Sequence, residues 1–301
     1  MKSTGPAFTA LQENGAHVAV NGLRKIDPNS GHVIASKMTT DLPSALVHGE
    51  DIARRLQNKR VAVFLDYDGT LTPIVERPDQ ALLSEAMRQT VRELATCCPV
   101  AIISGRDRSD VQRLVDINTI IYAGSHGFDI AGPQGMPLQY EKGVDFLPAI
   151  EHAEKALRRK LAGVAGALVE RKKFAIAVHV RAVAEKDEGS VEAIVDGILA
   201  HHPELRKGHG KKVFELQPCL DWDKGKAVQW LLQALQLDGP ADLPLYIGDD
   251  LTDEDAFKAV AERGLGMVVE ASPRPTAASY ALKDPDGVQA FLRQLLSWLR
   301  R

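Results

Sequence analysis

From residue 60 onward the chain alternates short apolar runs with segments whose apolar residues recur at helical spacing. Residues 61–65, 100–103, 120–123 and 243–247 are apolar throughout or nearly so and are of strand length, the signature of strands covered on both faces of a sheet. Between them, Leu83, Met87, Val91 and Leu94 mark one helical face, and Val111, Leu114 and Val115 mark a second. Val228, Leu231, Leu232 and Leu235 mark a third, while Val288, Phe291, Leu292, Leu295 and Leu299 mark a closing helix. Strands and helices alternating in this way predict an α/β fold built on a Rossmann-like, doubly wound parallel sheet.

Residues 132–217 break the scheme. Phe174, Ile176, Val178 and Val180 alternate at period two, which suits a half-buried strand with its other face in solvent. Helix-period segments at 151–161 and 191–200 and a short strand at 213–216 accompany it. This stretch is expected to be an inserted α+β cap domain, placed to cover the crevice of the core as a lid. The core is then formed by residues 58–131 and 218–301. Residues 1–57 show no sustained period and read as a largely irregular N-terminal extension with room for one short helix within 42–56.

Composition narrows the class without naming a function. Hydrophobic residues are 45% and charged residues 26% of the 301, which excludes a disordered or fibrous chain. A formal net charge of -3 gives no global attraction to nucleic acid or to an anionic membrane, so any phosphate must be bound locally. Cys97, Cys98 and Cys219 form neither a disulfide framework nor a zinc spacing, and no signal peptide or membrane-spanning stretch is evident, so a cytoplasmic location is expected. The oligomeric state stays open, with a monomer compatible with the sequence.

The chemistry is concentrated at the ends of the apolar runs. Residues 243–247 lead into Gly248, Asp249, Asp250, Leu251, Thr252, Asp253, Glu254 and Asp255, five carboxylates in eight residues. Carboxylates this close raise one another's pKa unless a cation sits among them, which points to a hard metal such as Mg²⁺. Residues 61–65 lead likewise into Asp66, Tyr67, Asp68, Gly69 and Thr70. Either cluster alone is compatible with a strand-end turn. Calcium loops are excluded, because a loop begun at Asp66 has Leu71 and Arg77 where Gly and Glu are needed, and one begun at Asp249 has Glu254 and Val260.

Ser104, Gly105 and Arg106 follow the run 100–103, where a hydroxyl and adjacent backbone N–H groups suit a phosphate, although Ser104 by itself reads more readily as a helix cap. Lys224 opens the helix after residues 218–223, and a lysine there supplies a point charge to an anion. An open parallel sheet brings all four elements to one edge.

In this order, Asp66-x-Asp68-Gly69-Thr70, then Ser104, then Lys224, then Gly248-Asp249-Asp250 with Asp253 resemble the four motifs of the haloacid-dehalogenase-like (HAD) phosphatases. Leu71 to Val75, Ile103 to Arg106, Gly124 to Gly127, Glu170 to Lys172, His179 to Arg181, Glu215 to Pro218, Asp223 to Lys226 and Gly248 to Asp255 are similar to the signature segments of trehalose-6-phosphate phosphatases. The resemblance runs from residue 60 to the region of the closing helix. It implies a Mg²⁺-dependent phosphatase acting on the small-molecule substrate trehalose 6-phosphate, with neither nucleic acid nor membrane as partner. Asp66 would be the nucleophile and Asp68 the general acid and base. Asp66, Asp249 and the backbone carbonyl of Asp68 would hold the metal, with Asp250 and Asp253 behind them. Ser104, Gly105, Arg106 and Lys224 would bind the phosphate, and Glu170, Lys172 and Glu215 of the cap the sugar.

The pattern departs from the family at Gln217, where relatives usually carry a basic residue, and at Val180, where they often carry Tyr. Read without the resemblance, Lys172 belongs to a solvated basic run, and His126 and His179 are structural histidines. The basic run 206–212 has no aromatic residue for base stacking and reads as a solvated turn. A related enzyme acting on sucrose phosphate or mannosyl-phosphoglycerate, and a sugar-phosphate sensor without turnover, are the competing readings.

Overall fold

The computed structural model describes residues 37–300, apart from residues 76, 211, 270 and 271 and the side chains of Pro78 and His209. Most of the expected N-terminal extension therefore lies outside the described residues. In chain order the elements are β1 (Lys37–Met38), α1 (Gly49–Leu56), β2 (Arg60–Leu65), α2 (Glu85–Leu94), β3 (Val100–Ile103), α3 (Arg108–Val115), β4 (Ile121–Gly124), β5 (Asp129–Ala131) and β6 (Gln139–Glu141). There follow α4 (Leu147–Leu161), β7 (Leu168–Arg171), β8 (Ile176–His179), α5 (Glu185–Leu199), β9 (Leu205–Gly210) and β10 (Val213–Pro218). The chain closes with α6 (Lys224–Ala234), β11 (Asp242–Gly248), α7 (Glu254–Val260), β12 (Leu265–Val269), β13 (Pro275–Thr276), β14 (Tyr280–Leu282) and α8 (Pro285–Leu299).

An eight-stranded sheet in the order β14-β12-β11-β2-β3-β4-β5-β6 forms the body of the molecule. Its pairings are parallel from β14 to β4 and antiparallel for β5 and β6. The uninterrupted apolar runs have a direct cause, since alternate residues of each strand feed two separate cores. Val61, Val63 and Leu65 of β2 join one cluster with residues of α1, α2, α3 and α8. Ala62 and Phe64 point the other way, into a cluster with α6 and α7.

This two-sided covering places the crevice. The chain leaving β2 passes to the first face, through buried Tyr67, Leu71 and Met87, whereas the chain leaving β11 passes to the second, through Ala256 and Phe257. β2 and β11 are neighbours paired in parallel, so their connections part in opposite directions and open a cleft beyond the strand ends.

A second sheet, β7-β8-β10-β9, is antiparallel throughout. One of its faces packs on α4 and α5 through Ile150, Ala153, Leu157, Val191, Val195 and Ile198, with Val169, Ile176, Val178 and Leu216 from the strands. Three expectations need correction. The stretch from 132 does not leave the large sheet at once, because β6 pairs with β5 inside it and the second sheet follows only afterwards. The second face of β8 is largely covered and not open to solvent: Ala177 and the preceding Ala175 are buried alongside Ile176 and Val178, and His179 at the strand end is partly exposed. Residues 206–210 are an edge strand and not a turn, its Lys207 paired with Glu192 and Asp196 of α5.

Phe291 of α8 is fully buried in the first core and far in sequence from the acidic segments. Phe291→Ala is expected to cost about 3–5 kcal/mol. A lower denaturant midpoint with unchanged activity per folded molecule is the outcome to be measured.

Candidate functional site

The cleft is walled by the segments that follow β2, β3 and β11 and by the start of α6. Asp66 is the first residue past β2, and its backbone N–H donates to the Ile247 carbonyl at 2.9 Å, which ties it to β11. The turn after it is tight: the Gly69 N–H donates to the Thr72 carbonyl at 2.8 Å. Gly69 has φ +81, and a Cβ there would lie 2.1 Å from Oδ2 of Asp249, so only glycine lets the two acidic segments approach this closely.

Asp66, Asp249 and Asp253 each bring a carboxylate oxygen within 4.8 Å of the others. Among the described residues, one ammonium lies against two of them. Lys224 Nζ lies 3.0 Å from Oδ1 of Asp66 and 2.7 Å from Oδ1 of Asp253, with the ammonium almost wholly buried. Asp253 also accepts from the Tyr246 hydroxyl at 2.6 Å, and its other oxygen accepts the Asp250 N–H at 2.8 Å, so it is held on both oxygens. Asp249 receives only the Thr70 hydroxyl, at 3.3 Å, among described side-chain donors.

The electrostatics follow from that arrangement. Burial drives the Asp66 carboxyl well above the ordinary range, with Lys224 opposing and Asp253 and Asp249 adding to the rise. Burial and Asp253 push Asp249 to about 7. Burial works against the Lys224 ammonium, yet Asp253 and Asp66 outweigh it and hold its pKa up. Three acids around one ammonium leave a surplus of negative charge on hard oxygen donors, which fits a small divalent cation.

Asp68 stands opposite, gripped by Arg106 through two parallel bonds of 2.7 Å. The same guanidinium reaches Asp110 at 3.0 Å and lies over the Tyr67 ring at 5.4 Å. The Arg106 backbone N–H donates to Ser104 Oγ at 3.1 Å. Arg106, expected at the phosphate, therefore has its side chain committed to Asp68. Ser104 is buried, and its N–H and carbonyl are bonded to Ala123 and His126, so the turn is rigid from below. Arg274 steadies the other wall by donating to the carbonyls of Asp249 and Asp250 at 2.8 and 3.2 Å and pairing with Glu254 at 2.6 Å. Nothing in its sequence context marks Arg274, which lies in an irregular segment beyond β12.

The second sheet supplies the roof. Glu170, Ala177, Glu215 and Gly208 are in register across its four strands and therefore share one face. Lys172 is no solvated lysine, since it meets Glu215 at 2.6 Å and lies 3.4 Å from the Gly105 carbonyl of the core. Although burial opposes it, His126 and Lys172 hold the Glu215 carboxyl well below the usual range. Gln217 donates to Glu215 at 2.6 Å, and His179 pairs with Glu170 at 2.7 Å. His126, read from the sequence as a structural histidine, stands beside this group. Its Nε2 stands 3.6 Å from Glu215, and its backbone is left-handed at φ 57. That unusual conformation is invisible in a sequence.

Lys224→Met would strand buried carboxylates without a counter-charge, and a loss of about 3–5 kcal/mol is expected in metal-free denaturant titrations. Glu215 contributes stability above its unfolded pKa of about 4.3, and this is lost as pH falls toward its lower folded value. The stability gap between wild type and Glu215→Gln is therefore expected to narrow as the pH is lowered below about 4.

The comparisons with known proteins agree with this geometry. The family model described as trehalose-phosphatase matches residues 64–286. Trehalose 6-phosphate phosphatase RA3 of Zea mays is 44% identical over 268 residues, covering 84% of this chain and 74% of that protein. The C-terminal domain of Candida albicans trehalose-6-phosphate phosphatase superposes with a TM-score of 0.73 at 23% identity, covering 85% of this chain and 99% of that one. A haloacid dehalogenase-like hydrolase from Bacteroides thetaiotaomicron shares the fold, with a TM-score of 0.57 at 15% identity over 79% of this chain and all of that one. With its acidic pairs at the ends of two neighbouring parallel strands and the family model spanning most of its length, the chain belongs to the trehalose-phosphatase family, on a haloacid-dehalogenase-like fold.

Proposed function

We propose that this chain is a Mg²⁺-dependent phosphatase that hydrolyses trehalose 6-phosphate to trehalose and inorganic phosphate through a phosphoaspartate on Asp66. The observation that carries the reading is Asp66 at the end of a central strand, within reach of Lys224 and Asp249, in a chain of the trehalose-phosphatase family. A carboxylate oxygen of Asp66 attacks phosphorus, the bond from phosphorus to the sugar oxygen breaks, and Asp68 gives its proton to that leaving oxygen. Asp68 then takes a proton from water as the water oxygen attacks phosphorus, the bond to Asp66 breaks, and phosphate departs.

Lys224, the Ser104 hydroxyl and the backbone N–H of Gly105 hold the non-bridging oxygens, with Arg106 assisting by fixing Asp68. Asp66, Asp249 and the Asp68 carbonyl would hold Mg²⁺, backed by Asp250 and Asp253. The ion supplies positive charge against the phosphoryl oxygens. Residues of the second sheet form a lid, on which Glu170, Lys172 and Glu215 bond the sugar hydroxyls and exclude water. A cytoplasmic location suits the three unpaired thiols Cys97, Cys98 and Cys219. No helix among the described residues is long and apolar enough to cross a membrane.

Asp66→Asn should lower turnover by about 10⁴-fold or more without unfolding the protein, and EDTA should stop phosphate release. A panel of sugar phosphates, read as phosphate release, should rank trehalose 6-phosphate first. A large preference for sucrose phosphate or mannosyl-phosphoglycerate would overturn the substrate, and binding without turnover would overturn the enzyme.

A further inference from the structure

We propose that Asp107 couples the phosphate-binding turn to closure of the lid, as a positioning residue; the inference rests on reading the second sheet as a lid. Asp107 follows Ser104, Gly105 and Arg106 directly and stands at the N-terminal cap of α3 with φ −59 and ψ 141. An aspartate in that place ordinarily accepts from an amide of its own helix's first turn. Asp107 makes no such side-chain bond. Its carboxylate is spent elsewhere, accepting the Lys173 backbone N–H at 2.9 and 3.0 Å on its two oxygens and the Ser125 hydroxyl at 3.0 Å.

Lys173 lies in the connection between β7 and β8, so a core helix forgoes its cap to hold the backbone of the second sheet. The residues on either side seat the same connection. Phe174 is 1% exposed and packs in the large sheet's core, its ring 6.4 Å from that of Phe128. Lys172 lies 3.4 Å from the Gly105 carbonyl, and the Lys173 ammonium pairs with Asp129 at 2.9 Å and Glu141 at 3.0 Å. Among these contacts, those of Asp107 with the Lys173 amide and of Lys172 with the Gly105 carbonyl join the connection to the turn proposed to receive the phosphate. The orienting group belongs to that turn as well, since the Ser125 N–H donates to the Arg106 carbonyl at 2.7 Å.

A shared carboxylate makes the two ends interdependent. A phosphate bound on the turn steadies Asp107 where Lys173 docks, while the turn itself stays held from below by its bonds to Ala123 and His126. Without the carboxylate the closed lid is less populated, and apparent affinity falls in proportion to the closed fraction, while saturating substrate still pulls the lid shut. The loss should therefore appear in KM for a substrate the lid must enclose and spare a small ester that needs only the core.

The test compares Asp107→Ala and the near-isosteric Asp107→Asn with wild type, using trehalose 6-phosphate and p-nitrophenyl phosphate, together with hydrogen exchange of the 172–175 amides. For Asp107→Ala the expected result is a KM for trehalose 6-phosphate raised about 10- to 100-fold, as loss of a charge-assisted bond implies, with kcat within about twofold. Hydrolysis of p-nitrophenyl phosphate should change by no more than about twofold, exchange at Lys173 should accelerate at least about tenfold, and Asp107→Asn should fall between the two. Equal losses on both esters would mean a merely structural role and overturn the proposal, as would unchanged KM and exchange. If wild type proves inactive on trehalose 6-phosphate, the substrate assignment fails; exchange at Lys173 still decides the latch, and protection undisturbed in both variants refutes it.

Discussion

A single buried ammonium, that of Lys224, is the contact on which the site depends. It lies between Asp66 and Asp253, at 3.0 and 2.7 Å, where water is excluded and each uncompensated charge is costly. This cation stands between an acid that follows β2 and one from the segment that follows β11, two strands paired side by side. It does not balance them fully. Asp249 is left with one weak hydroxyl donor and a pKa pushed to about 7, and the deficit suits a second cation on that side. Stability and chemistry share one cause here, since the charge the fold tolerates at some expense is the charge a phosphoryl-transfer site uses.

The neighbouring groups are arranged by the same economy of lone pairs. Asp253 is held on both oxygens by Lys224, Tyr246 and the Asp250 amide, which makes it a fixed support, whereas Asp66 and Asp249 have fewer side-chain partners among the described residues. Asp68 is fixed by Arg106, and Arg106 by Asp110. Asp107, next in the chain, turns away from its helix and holds the second sheet. Four consecutive residues, Ser104 to Asp107, thus connect the buried turn after β3, the Asp68 carboxylate and the roof.

The parts of the site legible in the sequence were those set by local order. Asp66, Asp68, Ser104, Lys224 and Asp249 each stand at the end of an apolar run or the start of a helical period, and strand and helix periodicity places such positions on one edge of a parallel sheet. Two contacts, those of Lys172 and His126 with Glu215, escape a reading of the residues alone for one shared reason. A lysine between two basic neighbours looks solvated until the strand pairing that sets Glu215 across from Ala177 brings that carboxylate over it. A histidine in a glycine-flanked turn looks structural until its left-handed backbone aims the ring at the roof. Arg274 and strands as short as β13 and β14 carry too few residues for any period to mark them.

By itself, the sequence determined the α/β alternation, the two acidic segments at strand ends and the kind of chemistry they permit, because hydrophobic period and residue type are local properties. Tertiary structure alone decided which charges meet. Whether Arg106 faces phosphate or Asp68, whether Asp107 caps its helix or holds Lys173, and whether β8 meets solvent or the crevice all depend on what the fold places opposite them. Contacts between residues tens or hundreds of positions apart are set by packing and desolvation summed over the whole chain, and no single segment encodes that sum.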